Sequence, residues 1–326
     1  MIKEEILKAL REGEGFLSGQ ELCERLCVSR TAVWKAVTRL KEEGYEIESV
    51  QNRGYRLLRE SDVITEAEIG SRLRTKVMGR NCLCFTETDS TNIQARLSAE
   101  QGAPHGTLVC AETQSAGRGR RGRVWNSPPG EAVYMSLILR PQIRPEHASM
   151  LTLVMGLAAA DACRKLTGTD VRLKWPNDLV IDGKKAAGIL TEMSAEMDCI
   201  HYVVTGIGIN VNTQEFPEDL PQAVSLRMAA GRNFSRAELI ALCMERFEVY
   251  YEIFEKTEDL RLLKEEYGKL LVNTGREVCV LEPSGSYTGT ALGISDKGEL
   301  LVRRADGTVE AVYAGEVSVR GIYGYV

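Results

Sequence analysis

At 326 residues the chain has room for two or three domains, and its 44% apolar and 27% charged content excludes a disordered or membrane-embedded protein. A net charge of -5 excludes a surface coated in bases, but it leaves room for a local basic patch, because nucleic-acid binding depends on where charge sits. Nine scattered cysteines against three histidines, with no zinc-site spacing, exclude a Cys/His metal centre and predict free thiols in a reducing cytoplasm.

The N-terminus, Met1-Ile2-Lys3-Glu4-Glu5, is acidic and amphipathic, which does not describe a signal peptide. Residues 1–60 read as three short helices and a hairpin, expected to form a winged helix-turn-helix domain. Ser18 with Glu21 makes a capping box for the second helix, and Cys27-Val28 makes a tight turn. Ser29 caps a third helix that runs to about Glu43 and is stopped by Gly44. Val33, Ala36, Val37 and Leu40 share its inward face. From Ser29 to Lys41 there are four bases and no acid. The polar side, with Arg30, Thr31, Lys35, Thr38 and Arg39, is therefore the candidate DNA-reading face. Strands at 45–49 and 55–58 form a wing whose tip carries Arg53, placed to reach the DNA backbone or minor groove. Trp34 lies at the flank of the core face and is expected to pack inward, with DNA contact as the alternative. The competing reading of the whole segment is a helical docking domain whose basic face is merely solvated, since residues 1–60 hold eleven bases and eleven acids.

A linker is expected at 59–64, after which Thr65 with Glu68 caps a new helix. Residues 65–272 alternate strands, glycine-rich turns and helices, the pattern of a mixed α/β domain. The apolar stretch at 150–160 is too short to span a bilayer and reads as a buried core helix, so no membrane association is expected.

Gly117-Arg118-Gly119-Arg120-Arg121-Gly122-Arg123-Val124 matches the dinucleotide fingerprint G-x-G-x-x-G literally. That motif needs a helix immediately afterwards, and Trp125-Asn126-Ser127-Pro128-Pro129-Gly130 is not one. A kinase needs His-Arg-Asp and Asp-Phe-Gly, which are absent, and a Walker loop needs Lys-Ser/Thr where Arg123-Val124 stands. What remains is a glycine-rich loop carrying four arginines, able to close over phosphate and carboxylate groups and exclude water. Its alternative is an exposed RNA- or membrane-binding tract. Lys174-Trp175-Pro176-Asn177-Asp178 forms a second cluster, either a plain turn or a place where Asn177 and Asp178 meet nucleotide and Mg²⁺ oxygens. After the turn Asp182-Gly183, Lys185 opens the small-residue strand Lys185-Ala186-Ala187-Gly188-Ile189-Leu190. Residues 273–326 are short strands with turn signals at Asp296-Lys297-Gly298 and Asp306-Gly307, expected to make a small β-barrel.

In order and spacing these motifs resemble the biotin–protein ligase family. The resemblance also takes in Asp89-Ser90-Thr91-Asn92, Gln114 ahead of the arginine loop, and Gly206-Ile207-Gly208-Ile209-Asn210. It covers essentially the whole chain, and the head is similar to that of the family's bifunctional members, which repress biotin-synthesis genes. Ser115 stands where a second glutamine is expected, and Trp34 where a polar recognition residue is expected.

The resemblance implies a multidomain α/β (α+β) architecture: the winged head, a mixed-sheet catalytic domain related to class II aminoacyl-tRNA synthetases, and an SH3-like C-terminal barrel. It implies that biotin and ATP give biotinyl-5′-AMP, which then passes to a lysine of a biotin carboxyl carrier protein. By the same analogy Ser90, Thr91, Asn92 and Gln114 hold biotin; Arg118, Gly119 and Arg120 close over its tail and the phosphate; and Lys185 meets the carboxylate. Lys185, Arg118 and Arg120 are the catalytic candidates, and Arg121, Trp125, Asn177 and Asp178 the candidates for ATP, with Mg²⁺ reached through Asp178. The partners implied are the carrier protein, operator DNA and a second copy of the chain, in a ligand-promoted homodimer with the adenylate as co-repressor. The rivals are a lipoate-type ligase and a metabolite-sensing transcription factor without turnover.

Overall fold

The computed structural model describes residues 2–325 apart from 14, 60, 61, 283, 284, 315–317 and 322–324. Two residues of the expected 59–64 linker therefore lie outside the described residues.

The head consists of α1 (Ile2–Glu12), α2 (Gly19–Leu26), α3 (Arg30–Glu42) and an antiparallel hairpin, β1 (Glu46–Val50) with β2 (Gly54–Arg59). Ser18 accepts from the Glu21 N–H and Ser29 from the Ala32 N–H, so both caps satisfy helix-end donors as their sequence positions suggest. Cys27 ends α2 in the left-handed conformation, which turns the chain sharply into α3. Val33, Ala36, Val37 and Leu40 are buried together with Ile6, Leu7, Leu10 and Leu22.

Trp34 does not pack inward as expected: it is 59% exposed. At 100° per residue it falls outside the 33/36/37/40 stripe and onto the face of Thr31 and Thr38. Arg30, Thr31, Lys35, Arg39 and Lys41 are exposed beside it, and Thr38 is half-buried with its hydroxyl tied back to the Trp34 carbonyl. At the wing, Arg53 is exposed and its guanidinium stacks 4.3 Å above the Phe16 ring.

The central domain begins with α4 (Glu66–Arg72), capped by Thr65. Then come β3 (Cys82–Thr88), α5 (Thr91–Glu100), β4 (Thr107–Gln114), β5 (Ala132–Leu139), α6 (Leu151–Thr167), β6 (Arg172–Lys174), β7 (Asp178–Ile181), β8 (Lys184–Ala195) and β9 (Ile200–Asn210). Three helices close the domain: α7 (Leu226–Ala230), α8 (Arg236–Thr257) and α9 (Lys264–Leu270). The sheet order is β3-β4-β5-β9-β8-β7-β6, with β3 and β4 parallel and the other ladders antiparallel. Every residue of β5 is buried, because the sheet is covered on both faces. The helices α6 and α8 pack into the larger core, and α5 covers the other face through Ala95 and Ala99 against Val109, Ile138 and Val204.

The C-terminal strands are β10 (Glu277–Glu282), β11 (Gly285–Ile294), β12 (Leu300–Arg303), β13 (Val309–Val312) and β14 (Ser318–Gly321). They form an antiparallel sheet in the order β13-β12-β11-β10-β14 around Val278, Val280, Ala291, Leu300 and Val302. No ladder joins β13 to β14 among the described residues, so by backbone pairing the expected barrel is an open five-stranded sheet. Trp175 pins this sheet to the central domain: its backbone N–H donates to Asn273 (2.9 Å) and its indole to the Gly298 carbonyl (2.9 Å). Among the described residues no helix is long and apolar enough to cross a membrane.

Candidate active site

The site lies where β8 and β9 run side by side beneath the arginine loop. Gly206 and Gly208 of β9 have large buried neighbours, Ile207 and Ile209, pointing the other way. Their own positions must stay empty. A Cβ on Gly206 would come within 1.9 Å of Asn92 Oδ1, and one on Gly208 within 2.6 Å of the Trp125 ring. The alternation of glycine and isoleucine thus makes a flat floor on which Asn92 and Trp125 rest.

One wall is the start of α5. Ser90 and Thr91 are buried there, and Gln114 at the end of β4 accepts from the Thr91 N–H at 2.8 Å. Gln114 also donates to Ser127 Oγ (2.9 Å), which fixes its amide orientation. The turn before α5 is held by Asp89, which accepts from Gln94 and from the Ser90 N–H; these bonds hold its carboxyl below the usual carboxylate range. Asn92 differs from its neighbours. Its oxygen accepts from Ser136 (2.7 Å), and its nitrogen donates to the Leu190 carbonyl and to Glu192 (2.7 Å). Its amide is thus held by the protein's own groups, while Asn92 still lines the narrow pocket beside Ser90 and Thr91.

The arginine loop is a small hairpin and does not lead into a helix. Arg118 bridges Val124, Gly119 N–H donates to the Arg123 carbonyl (2.7 Å), and Trp125 N–H donates to the Gly117 carbonyl (2.9 Å). The dinucleotide fingerprint is thereby excluded on geometry as well as on sequence. Arg120 holds the loop down, donating to Asn177 Oδ1 at 2.9 Å and to the Ala314 carbonyl at 2.7 Å. Burial lowers the pKa of its guanidinium, with Asp178 opposing the shift, but an arginine stays charged at any physiological pH. Arg118, Arg121 and Arg123 stay exposed, and Arg121 sits in the left-handed region at φ 58°.

Asp178 and Lys185 face each other across the β7–β8 hairpin, with Nζ 2.7 Å from Oδ1. The other Asp178 oxygen accepts from the Tyr325 hydroxyl. Lys174 is almost fully buried, with its Nζ 3.5 Å from the Tyr325 ring centroid. Burial lowers its pKa to about 8, assisted by Lys185, Arg320 and Arg123 and opposed by Asp178.

Two connected spaces result. A narrow pocket of about 50 Å³ takes in Ser90, Thr91, Gln114, Arg118 and Lys185. A cleft of about 830 Å³ takes in Arg121, Asn177, Asp178, Lys185 and Tyr325. Trp125, Gly119, Arg120, Asn177 and Lys185 border both. All of the proposed ligand residues of the central domain therefore gather at one place, and the DNA-reading candidates lie on the head. Sequence reasoning missed Tyr325, Tyr134 and Arg320, which also line these spaces. Lys174 belongs to a motif legible in the sequence, but no role follows for it there. Only its place beside Asn177 and Asp178 in one motif could have drawn attention to it.

Comparison with known proteins agrees with this arrangement. Residues 83–210 match the Biotin/lipoate A/B protein ligase family, residues 3–56 an HTH domain, and residues 273–320 the Biotin protein ligase C terminal domain. The chain is 41% identical to the bifunctional ligase/repressor BirA of Bacillus subtilis (strain 168), covering 94% of this chain and 95% of the relative. It is 33% identical to the protein of the same name from Escherichia coli (strain K12), covering 97% and 96%. Among solved structures, the biotin protein ligase of Aquifex aeolicus in complex with biotin and ATP superposes with a TM-score of 0.66 at 31% identity, covering 74% of this chain and 99% of that one. With an HTH head, a ligase core and a ligase C-terminal module in the same order as in these two-function relatives, the chain belongs to the biotin–protein ligase family.

Proposed function

We propose that this chain joins biotin to ATP, passes the biotinyl group to a lysine of a biotin carboxyl carrier protein, and represses biotin genes through its head. The observation that carries the chemical part is the junction of the two spaces at Lys185. A pocket of hydroxyls and a carboxamide, suited to a ureido ring, opens there onto a basic cleft suited to a nucleotide. At about 50 Å³ the pocket is well below the roughly 300 Å³ of an ordinary ligand site, so Trp125 and the loop must give way as biotin enters.

In the first step a biotin carboxylate oxygen attacks the α-phosphorus, the α–β anhydride bond breaks, and pyrophosphate leaves with the electron pair. Two anions meet in this step, so fixed positive donors must offset their repulsion and the charge growing on the phosphate. Lys185 lies at the junction, and Arg118 and Arg120 lie above it. Trp125 Nε1 is buried with no partner among the described residues, a donor that a bound adenylate would satisfy. In the second step the neutral amine of the acceptor lysine attacks the acyl carbon, AMP departs, and the amine releases its proton to solvent. The arginine loop, held by Arg120, keeps water from the mixed anhydride in between.

No group of three acidic, cysteine or histidine side chains is placed to cage a metal among the described residues. Mg²⁺ would ride on the polyphosphate, with Asp178 the carboxylate beside the lysines that can meet it, and its chemistry would be to screen the leaving pyrophosphate.

Biotin-dependent ATP–pyrophosphate exchange tests this reading. Exchange with lipoate but not biotin would transfer the chain to the lipoate ligases, and none with either would leave a sensor without turnover. In regulation, the adenylate is the co-repressor: ordering the loop around it favours a twofold dimer, whose two heads read paired half-sites. Linkage requires dimerisation to tighten adenylate binding by the same factor. Sedimentation with a non-hydrolysable adenylate analogue should show more dimer; an unchanged balance with unchanged DNA affinity removes this control.

A further inference from the structure

The Tyr325 side chain stands in the basic cleft, far from the sheet residues it touches in sequence. Its hydroxyl donates to Asp178, whose other oxygen is ion-paired with Lys185 at 2.7 Å, and its ring lies 3.5 Å from Lys174 Nζ. One phenol and one carboxylate thus occupy two ammonium groups that would otherwise face the open cleft. Lys174 is the telling partner. It is 5% exposed, no ion pair reaches it among the described residues, and an aromatic face covers its charge. A desolvated ammonium of this kind binds a phosphate oxygen far better than it binds a ring, once the ring is out of the way.

We propose that Tyr325 occupies the phosphate end of the nucleotide site, satisfying Lys174 and Asp178 while that site is empty, and that ATP binds by displacing it. The inference rests on the placement of the nucleotide against Asp178 and Lys185. Tyr325 is accordingly an occluding residue that sets the affinity for ATP without touching the biotin pocket, whose lining does not include it. Its removal frees the lysines before nucleotide arrives.

The test uses the full chain in biotin-dependent pyrophosphate exchange. Tyr325→Phe removes the hydrogen bond and keeps the ring; Tyr325→Ala removes both. KM for ATP should fall about tenfold in Tyr325→Phe, the scale of one hydrogen bond to a charged group, and at least as far in Tyr325→Ala. KM for biotin and kcat should stay put. An ATP KM that is unchanged or raised in both variants overturns the proposal, a rise making the ring a wall of the nucleotide site. Asp178→Asn separates two kinds of failure. If it leaves KM for ATP unmoved, the nucleotide placement falls and the proposal with it; if it shifts KM while the tyrosine variants do not, the proposal falls alone.

Discussion

Replacing Lys185 with alanine isolates the charge at the junction of pocket and cleft. Nζ lies 2.7 Å from Asp178 Oδ1, and the two side chains are 29% and 14% exposed. At that distance and an effective dielectric of about 20, the gross attraction is about 6 kcal/mol. Most of it is offset by solvation already given up, leaving roughly 1.5–3 kcal/mol for a charged hydrogen bond. Asp178 keeps its bond from Tyr325, so the variant should fold with a modestly lowered melting temperature. The rate is the larger effect. A preorganised donor at the reacting phosphate is worth roughly 10²-fold or more, which is about 2.7 kcal/mol of barrier. The assay is biotin-dependent pyrophosphate exchange at saturating ATP, with kcat and the KM for biotin read separately. The loss should fall mainly on kcat, because the repulsion peaks as the carboxylate closes on phosphorus. Near-normal exchange together with a wild-type melting curve would end the assignment.

Arg120→Gly removes the bonds to Asn177 and the Ala314 carbonyl, so biotinyl-AMP should still form but escape sooner, raising indiscriminate labelling of bystander lysines; a variant that makes no adenylate puts Arg120 in the first step instead. Deleting residues 1–60 should abolish DNA binding while ligation stays measurable, and Lys35→Ala should reduce the salt slope of binding by about one if it meets a phosphate; DNA affinity retained by the truncated chain would mean that the basic face was only solvated. The pKa of Lys174 falls from 10.5 to about 8, so between these values the unfolded chain holds the extra proton and this residue makes stability rise with pH. Urea melts at pH 8 and 10 should therefore show the gap between wild type and Lys174→Met moving in favour of wild type by about 2 kcal/mol; a constant gap would show that the ammonium is not desolvated.

What could be read from the sequence was whatever depends on short-range periodicity and on motif chemistry. The capping serines of the head, the buried stripe of α3 and the turn at Asp182-Gly183 all depend on neighbours within one helical turn or one hairpin. The arginine loop could be separated from the dinucleotide fold because the proline-rich stretch after it cannot start a helix. Trp34 was misplaced for a definable reason: it borders the core stripe, and composition alone does not say which side of a helical border a large ring takes. Asn92 illustrates a different limit. A motif identifies an amide near a pocket, but only Ser136 from β5 and Leu190 and Glu192 from β8 show that the amide is already hydrogen-bonded within the protein. Tyr325 meets Asp178 from 147 positions away, a contact that no local pattern encodes.

Two buried charges decide how the head sits on the ligase core. Glu68 on α4 is fully buried, and a carboxylate in that position is costly unless its oxygens are satisfied. One oxygen takes Arg72 from its own helix and Arg11 from α1; the other takes the Tyr45 hydroxyl at 2.7 Å. Partners supplied by the head therefore complete a group that belongs to the core. Arg236 at the start of α8 makes the second node, at 2% exposure, binding Asp62 at 2.9 Å and Glu112 at 2.7 Å. Glu112 also accepts from the Ile64 N–H at 2.9 Å, so the segment leading from the head is clamped onto β4. The same strand ends two residues later at Gln114, the amide that orients Thr91 in the pocket wall. Because alternate residues of a strand share a face, the clamp and the pocket contact stand side by side on one rigid element. Within the protein's own framework the pocket wall is therefore joined to the segment leading from the head by two hydrogen bonds, Thr91 to Gln114 and Ile64 to Glu112, with two residues of β4 between them.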